Sequence, residues 1–208
     1  MNVNRLFHLL TAYRDDGVFN QYCEVHPELD RPDGAQVRRR NLRQYLVAFA
    51  DARFLLVGEA AGYAGCRFSG IPFTCEAQLV GAQPLAWTPG LALERSSRAA
   101  TPWVERSATM VWETLGERRD VLLWNAFPWH PFSRRGPLSN RHPGRDLSAG
   151  LEVLRCVLAE FPQARAYAIG RVAEQALADL DVAAPYIRHP SRGGKTRFAA
   201  GVAALVGE

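Results

Sequence analysis

Four short apolar runs punctuate the chain: FLLV at residues 54–57, VLLW at 121–124, AYAI at 166–169 and PYIR at 185–188. Each has the length and β-branched or aromatic content of a buried strand and is bounded by turn residues. Residues 38–50, 103–115, 147–161 and 172–180 carry apolar positions at helical spacing, one such segment ahead of each run. Strands that alternate with helices pair in parallel, because only a covering crossover returns the chain to the same edge. The pattern therefore predicts an α/β fold, a three-layer α/β/α sandwich with a central four-stranded parallel sheet. Neither a repeat nor a linker interrupts it, so residues 1–208 read as one domain, with a helical segment over 1–50 and the core over 51–208.

In an open parallel sheet the ligand lies beyond the carboxyl ends of the strands. The first predicted strand ends in GEAAG, the second at Asn125 in WNAFPWHP, the third at Gly170 and the fourth at His189 in RHPSRGG. All four would open onto one edge. A long irregular stretch, 74–101, separates the first two strands and reads as either a cover over a site or an insertion.

Composition narrows this picture. A 208-residue chain that is 48% hydrophobic can bury a full core. No apolar run reaches membrane-spanning length, and the N-terminal NVNRLFHLLTAYRDDG has the charges of an amphipathic helix and no cleavage site, so a cytoplasmic protein without membrane association is expected. Net charge is +4, a lean toward polyanions, and Lys195 is the single lysine among 25 basic residues. The basic window RHPSRGGKTR at 188–197 contains no acid, whereas the equally basic RRRNLR at 38–43 follows helical spacing and reads as a solvated face. Cys23, Cys66, Cys75 and Cys156 form no CxxC pair and have no histidine at finger spacing, so they read as small hydrophobes, and neither a metal nor another cofactor is expected.

The glycine-rich stretch LLVGEAAGYAGCRFSGIPFT at 55–74 invites a phosphate-binding reading. It lacks the Lys and Ser/Thr of a P-loop and the spacing of a dinucleotide fingerprint, and it carries a lone carboxylate, Glu59. Phe73 is either a stacking platform or a core aromatic, and Asn125 either reads a ligand edge or caps a turn. Four of the five histidines, His26, His130, His142 and His189, precede proline, which favours extended loop positions; His189 stands out by the strand before it and the basic loop after it, with His130 second.

Taken in order, GEAAG at 58–62 with GIPF at 70–73, the strand-end Asn125 and HPS at 189–191 resemble the uracil-DNA glycosylase superfamily, in particular its bacterial branches with a GEAPG-type first motif. The resemblance spans about residues 54–198. It implies a repair enzyme that extrudes uracil, or another deaminated or mismatched base, from DNA and hydrolyses its N-glycosidic bond to leave an abasic site. In its terms Gly58, Ala60 and Gly62 form a backbone wall, Phe73 stacks on the base and Asn125 reads its edge. His189 donates to O2 as charge develops there, while Ser191, Arg192, Gly193 and Lys195 meet the DNA, with Arg192 as the wedge. Glu59 orients the attacking water, stabilises the sugar cation or braces the loop.

The chain departs from the family at three places. Ala60 stands where several branches carry a water-orienting Asp or Asn, and Ala61 replaces the Pro of GEAPG. Gly62 stands where the best-known branch has a methyl-excluding Tyr, leaving the Glu59 backbone or Tyr63 to reject thymine. The GEAPG branch commonly holds an iron–sulfur cluster through a near-N-terminal CxxC; with that pair missing, no cluster is expected. With Lys195 alone in the motif loops, a lyase step is not expected either. The expected partner is DNA containing a damaged base, with no protein partner. A catalytically silent nucleic-acid or nucleobase-binding protein on the same fold, and a nucleotide-binding α/β protein, are the alternatives.

Overall fold

The computed structural model describes residues 3–81 and 84–205. The chain runs α1 (Val3–Ala12), β1 (Val18–Phe19), α2 (Gly34–Ala48), β2 (Phe54–Ala60), α3 (Cys66–Ser69), α4 (Glu76–Val80) and α5 (Arg106–Leu115). It continues through β3 (Val121–Phe127), β4 (His130–Pro131), α6 (Leu147–Glu160), β5 (Arg165–Ile169), α7 (Arg171–Ala178), β6 (Tyr186–Ile187) and α8 (Lys195–Ala204). The four expected strands form one parallel sheet of order β3-β2-β5-β6, flanked by helices in a three-layer sandwich. Helices α6 and α7 lie against β3 and β5, and α8 lies against β6 and α5.

Because both faces of the sheet are covered, its central strands are apolar throughout rather than alternating, and every residue from Phe54 to Gly58 and from Val121 to Phe127 is buried. Strand β3 is an edge, and its outward Leu123 N–H is met by the Tyr45 hydroxyl of α2 at 2.7 Å, which closes a backbone donor that would otherwise template another strand. Both β2 and β3 extend three residues past the apolar runs. They remain in parallel register through Gly58 beside Asn125 and Ala60 beside Phe127, so Glu59 sits on a strand rather than in a loop. Strand β2 leads toward the β3 side and β5 toward the β6 side, and the carboxyl ends of these two neighbours diverge where open α/β sheets hold their ligands.

The first 50 residues are part of the architecture. Leu6, Phe7 and Leu10 of α1 and Tyr45 and Leu46 of α2 belong to the same buried cluster as the strands. Strand β1 pairs antiparallel with β4, Trp129 Nε1 donates to Leu10 O at 2.9 Å, and Gln21 Nε2 donates to Pro128 O at 2.8 Å. These contacts fix the loop that follows Asn125.

The reading of 38–43 as a solvated face is corrected by Arg38. That side chain is fully buried, donates from Nε to Gln21 O at 2.5 Å and pairs with Asp30 at 3.2 Å. Its neighbour in space is Arg67, also fully buried, which pairs with Asp30 at 2.5 Å and stacks on Phe19 and Phe68. Periodicity misjudged Arg38 because an arginine is buried only when a partner, here Asp30 in the turn before α2, completes it. The irregular stretch 74–101 is pinned rather than draped over the site. Glu76 Oε1 accepts from the N–H groups of Ser96 and Ser97, both at 2.9 Å, and Trp87 packs among Tyr45, Phe49 and Trp112. Among the described residues no helix is long and apolar enough to cross a membrane.

Candidate active site

A cavity of about 330 Å³ opens at the carboxyl edge of the sheet, lined by Glu59, Ala60, Gly62, Phe73, Asn125, His189, Ser191 and Arg192 among others. The volume lies in the range of small-ligand clefts. Eight of the eleven residues singled out from the sequence therefore meet in one place, and Gly58 supports two of them from beneath.

Gly58 explains how the wall is built. A Cβ on it would collide with the Phe73 ring and would lie 3.1 Å from Asn125 Oδ1, so its missing side chain is what lets an aromatic face and an amide come together. Phe73 is itself strained: its φ of +52° is unusual for a residue with a side chain, and its ring centroid lies 6.3 Å from that of His189. Asn125, although buried, makes no side-chain hydrogen bond to any described residue. Its donor and acceptor are both available to a ligand, and no protein group fixes which way the amide faces.

His189 is held more firmly. Its Nδ1 accepts from the Ser191 backbone N–H at 3.1 Å and lies 2.8 Å from the Ser191 hydroxyl. A nitrogen that accepts from a backbone N–H cannot carry a proton of its own, so the neutral ring is protonated on Nε2, which has no partner among the described residues. Burial, with help from the Arg188 charge, pushes its pKa down to about 4, so the ring is neutral in ordinary buffers. The Ser191 side chain and N–H thus serve His189, in contrast to the phosphate contact expected of Ser191. His130, the second choice, lies outside the cavity: its nitrogens sit 2.9 Å from Ala61 O and Pro137 O, where it braces two loops, and burial pushes its pKa down to about 4.

Glu59 is half-buried and its carboxylate has no hydrogen bond or ion pair to any described residue, so it does not brace the loop. Burial raises its pKa, against the opposing charges of His142 and Arg192. On its far side a second cavity of about 530 Å³ shares Glu59, His189 and Arg192 with the first and adds Arg171 and Arg188, a cationic trough beside the pocket. Arg192 is exposed, has a φ of +53° and is free of partners among the described residues. Gly193, with a φ of +74°, has open space where a side chain would stand. Lys195 is removed from the cavity and pairs with Glu113 at 2.7 Å. Gly194 is required by the turn, since a Cβ there would overlap His189 O.

The residue that sequence reasoning missed is Glu105. It precedes α5, 43 residues past the end of the first motif in a segment without strand or motif character, and its carboxyl lines the cavity against Gly62 and Gly65. Tyr63, one of the groups considered for the place beside Gly62, instead turns edge-on to Trp103. Residues 140 and 141 also reach the rim, where Asn140 Oδ1 accepts from the Tyr63 N–H at 3.0 Å. Among the described residues no group of three or more His, Cys, Asp or Glu side chains is arranged to hold a metal ion. No protein-family model matches the chain, and no curated protein matches it.

Proposed function

We propose that the protein is a monofunctional DNA glycosylase that removes uracil, or a related deaminated or mismatched base, by hydrolysis. The observation that carries this reading is one cavity where a stacking ring, an uncommitted amide, a neutral imidazole Nε2–H and an unpaired carboxylate meet beside a cationic trough. Each group has a use in breaking the bond between a base and its sugar, and no other described part of the protein claims its polar atoms.

An extruded base would stack on Phe73 while the Asn125 amide meets its Watson–Crick edge, donating to O4 and accepting from N3–H of uracil. As the C1′–N1 bond breaks, its electron pair moves onto the base, chiefly toward the carbonyl oxygens, and the sugar becomes oxocarbenium-like. The His189 Nε2–H donates to the charge developing on O2, a contribution of about 3 kcal/mol for a well-placed donor in a desolvated site. Glu59, ionised, stabilises the sugar cation and holds a water whose oxygen bonds to C1′ while its proton passes to the carboxylate. The base leaves as its anion and takes a proton from solvent. Arg188 and Arg171, which line the trough, would supply charge for the phosphates, and Arg192 would enter the vacated stack.

The test is incubation of the full chain with an oligonucleotide bearing one deoxyuridine, followed by alkaline cleavage. Strand scission at the uridine, lost in His189→Ala, supports the reading. Binding without scission points to the silent binder, and nucleotide affinity without DNA affinity to the third class.

A further inference from the structure

Glu105 has a position that nothing else in the protein explains. It occupies the residue before α5, where a carboxylate ordinarily caps the first free N–H groups, yet it makes no capping bond. Its carboxyl turns into the space over Gly62 and Gly65, and a Cβ on either glycine would collide with one of its oxygens. The GYAG turn is thus shaped around this carboxyl. No hydrogen bond or ion pair to any described residue satisfies it, although it lies in the wall of the cavity that holds Phe73, Asn125 and His189. A partly buried carboxyl without a protein partner, in the wall of a cleft, marks a functional site.

We propose that Glu105 is a second donor to the departing base: its carboxylic acid O–H, seated across Gly62 and Gly65, hydrogen-bonds a base carbonyl oxygen on which negative charge accumulates. The proposal rests on the glycosylase reading. A donor is favoured over an acceptor because the bond to be broken sends electrons toward the base, and an ionised carboxylate in the same wall would oppose that charge. The surroundings favour the neutral acid below about pH 7. Burial alone pushes its pKa up to about 7. The titratable groups packed around it are the thiols of Cys66 on α3 and Cys75 before α4, with Glu59, Arg141, His189 and Arg192 across the cavity. The thiols stay neutral, because burial raises Cys66 to about 12 and Cys75 above its ordinary value. Glu105 and Glu59 are then two carboxyls with two roles in one pocket, one neutral and donating, the other ionised and facing the sugar.

The experiment is single-turnover cleavage of a deoxyuridine oligonucleotide by wild type, Glu105→Ala and Glu105→Gln between about pH 5.5 and 9. Wild type should lose rate above about pH 7, approaching tenfold per pH unit. Glu105→Ala should be about tenfold slower than wild type at pH 6, with no alkaline fall. Glu105→Gln, which keeps an N–H donor, should recover several-fold over Glu105→Ala and stay level to pH 9. An alkaline fall that persists in Glu105→Gln, or a folded Glu105→Ala with wild-type rate at pH 6, overturns the proposal. If wild type cleaves no substrate, the glycosylase reading fails by itself, and free-uracil binding judges Glu105 separately. Affinity lost above pH 7 in wild type but retained in Glu105→Gln supports the donor role; pH-independent affinity, or no affinity, overturns it.

Discussion

Two clusters of polar side chains lie only a short stretch of chain apart, and they are treated in opposite ways. Behind the first motif, Asp30 takes Arg38 and Arg67, and Glu76 accepts from Ser96, Ser97 and the Ser97 hydroxyl, so buried charge is answered by charge or by backbone donors. At the carboxyl edge of the sheet the carboxyls of Glu59 and Glu105, the amide of Asn125 and Nε2 of His189 have no such answers among the described residues. The residue types overlap; what differs is that each buried arginine of the first cluster has a charged partner, although Arg67 Nε makes no hydrogen bond. A satisfied cluster fixes backbone, here α2 against the 63–73 turn, whereas an unsatisfied one beside a cavity is complementary to something outside the protein.

This contrast can be broken from either side. The largest expected effect is on stability: Asp30→Ala leaves Arg38 and Arg67 buried and uncompensated and should cost about 3–5 kcal/mol in urea unfolding. A loss below about 1 kcal/mol would mean that the cluster is not a brace. Next in size, His189→Ala should lower single-turnover cleavage by about a hundredfold while its urea midpoint stays close to wild type. A matching fall in stability would place His189 with the brace instead of the pocket.

Glu59→Ala should slow cleavage by about tenfold, and a rate within about threefold of wild type would remove it from the catalytic groups. Arg192→Ala should weaken cleavage of duplex more than of single strands, by a few-fold; equal loss on both substrates would remove the wedge.

The pH dependence of stability sharpens the same comparison. For His189 and His130 the folded pKa of about 4 lies below the unfolded 6.5, so their contribution is complete above 6.5 and is lost as pH falls toward 4. For Glu105 the folded pKa of about 7 lies above the unfolded 4.5, so folding is favoured below 4.5 and that advantage is lost as pH rises through 7. Because the histidines contribute equally to both proteins, the melting temperature of wild type should fall relative to that of Glu105→Gln as pH rises from about 5 to 7, and the difference should level off above 7. Parallel pH profiles would show that Glu105 is already ionised in the folded protein.

The glycines divide along the same line. Gly58 and Gly62 leave room for the ring of Phe73 and the carboxyl of Glu105 in the wall of the pocket, while Gly70, with a φ of +77° and no space for a Cβ against the Arg38 backbone, belongs to the brace. Gly194, in the basic loop, accommodates the His189 carbonyl.

What the sequence determined by itself is the order of strands and helices, the parallel sheet and the edge at which its chemistry would lie, because apolar runs and helical periodicity are local properties of burial. It also supplied Phe73, Asn125 and His189, each at a place where a strand ends or a motif closes. Tertiary structure alone decided which polar groups are satisfied. Arg38 became a buried brace because the turn ahead of α2 folds Asp30 back against it, and Ser191 became the partner that sets the His189 tautomer. Glu105 entered the pocket because a chain segment far from the motifs folds across two glycines. Hydrogen-bond partnership depends on how the folded chain brings groups together, so no periodicity records it.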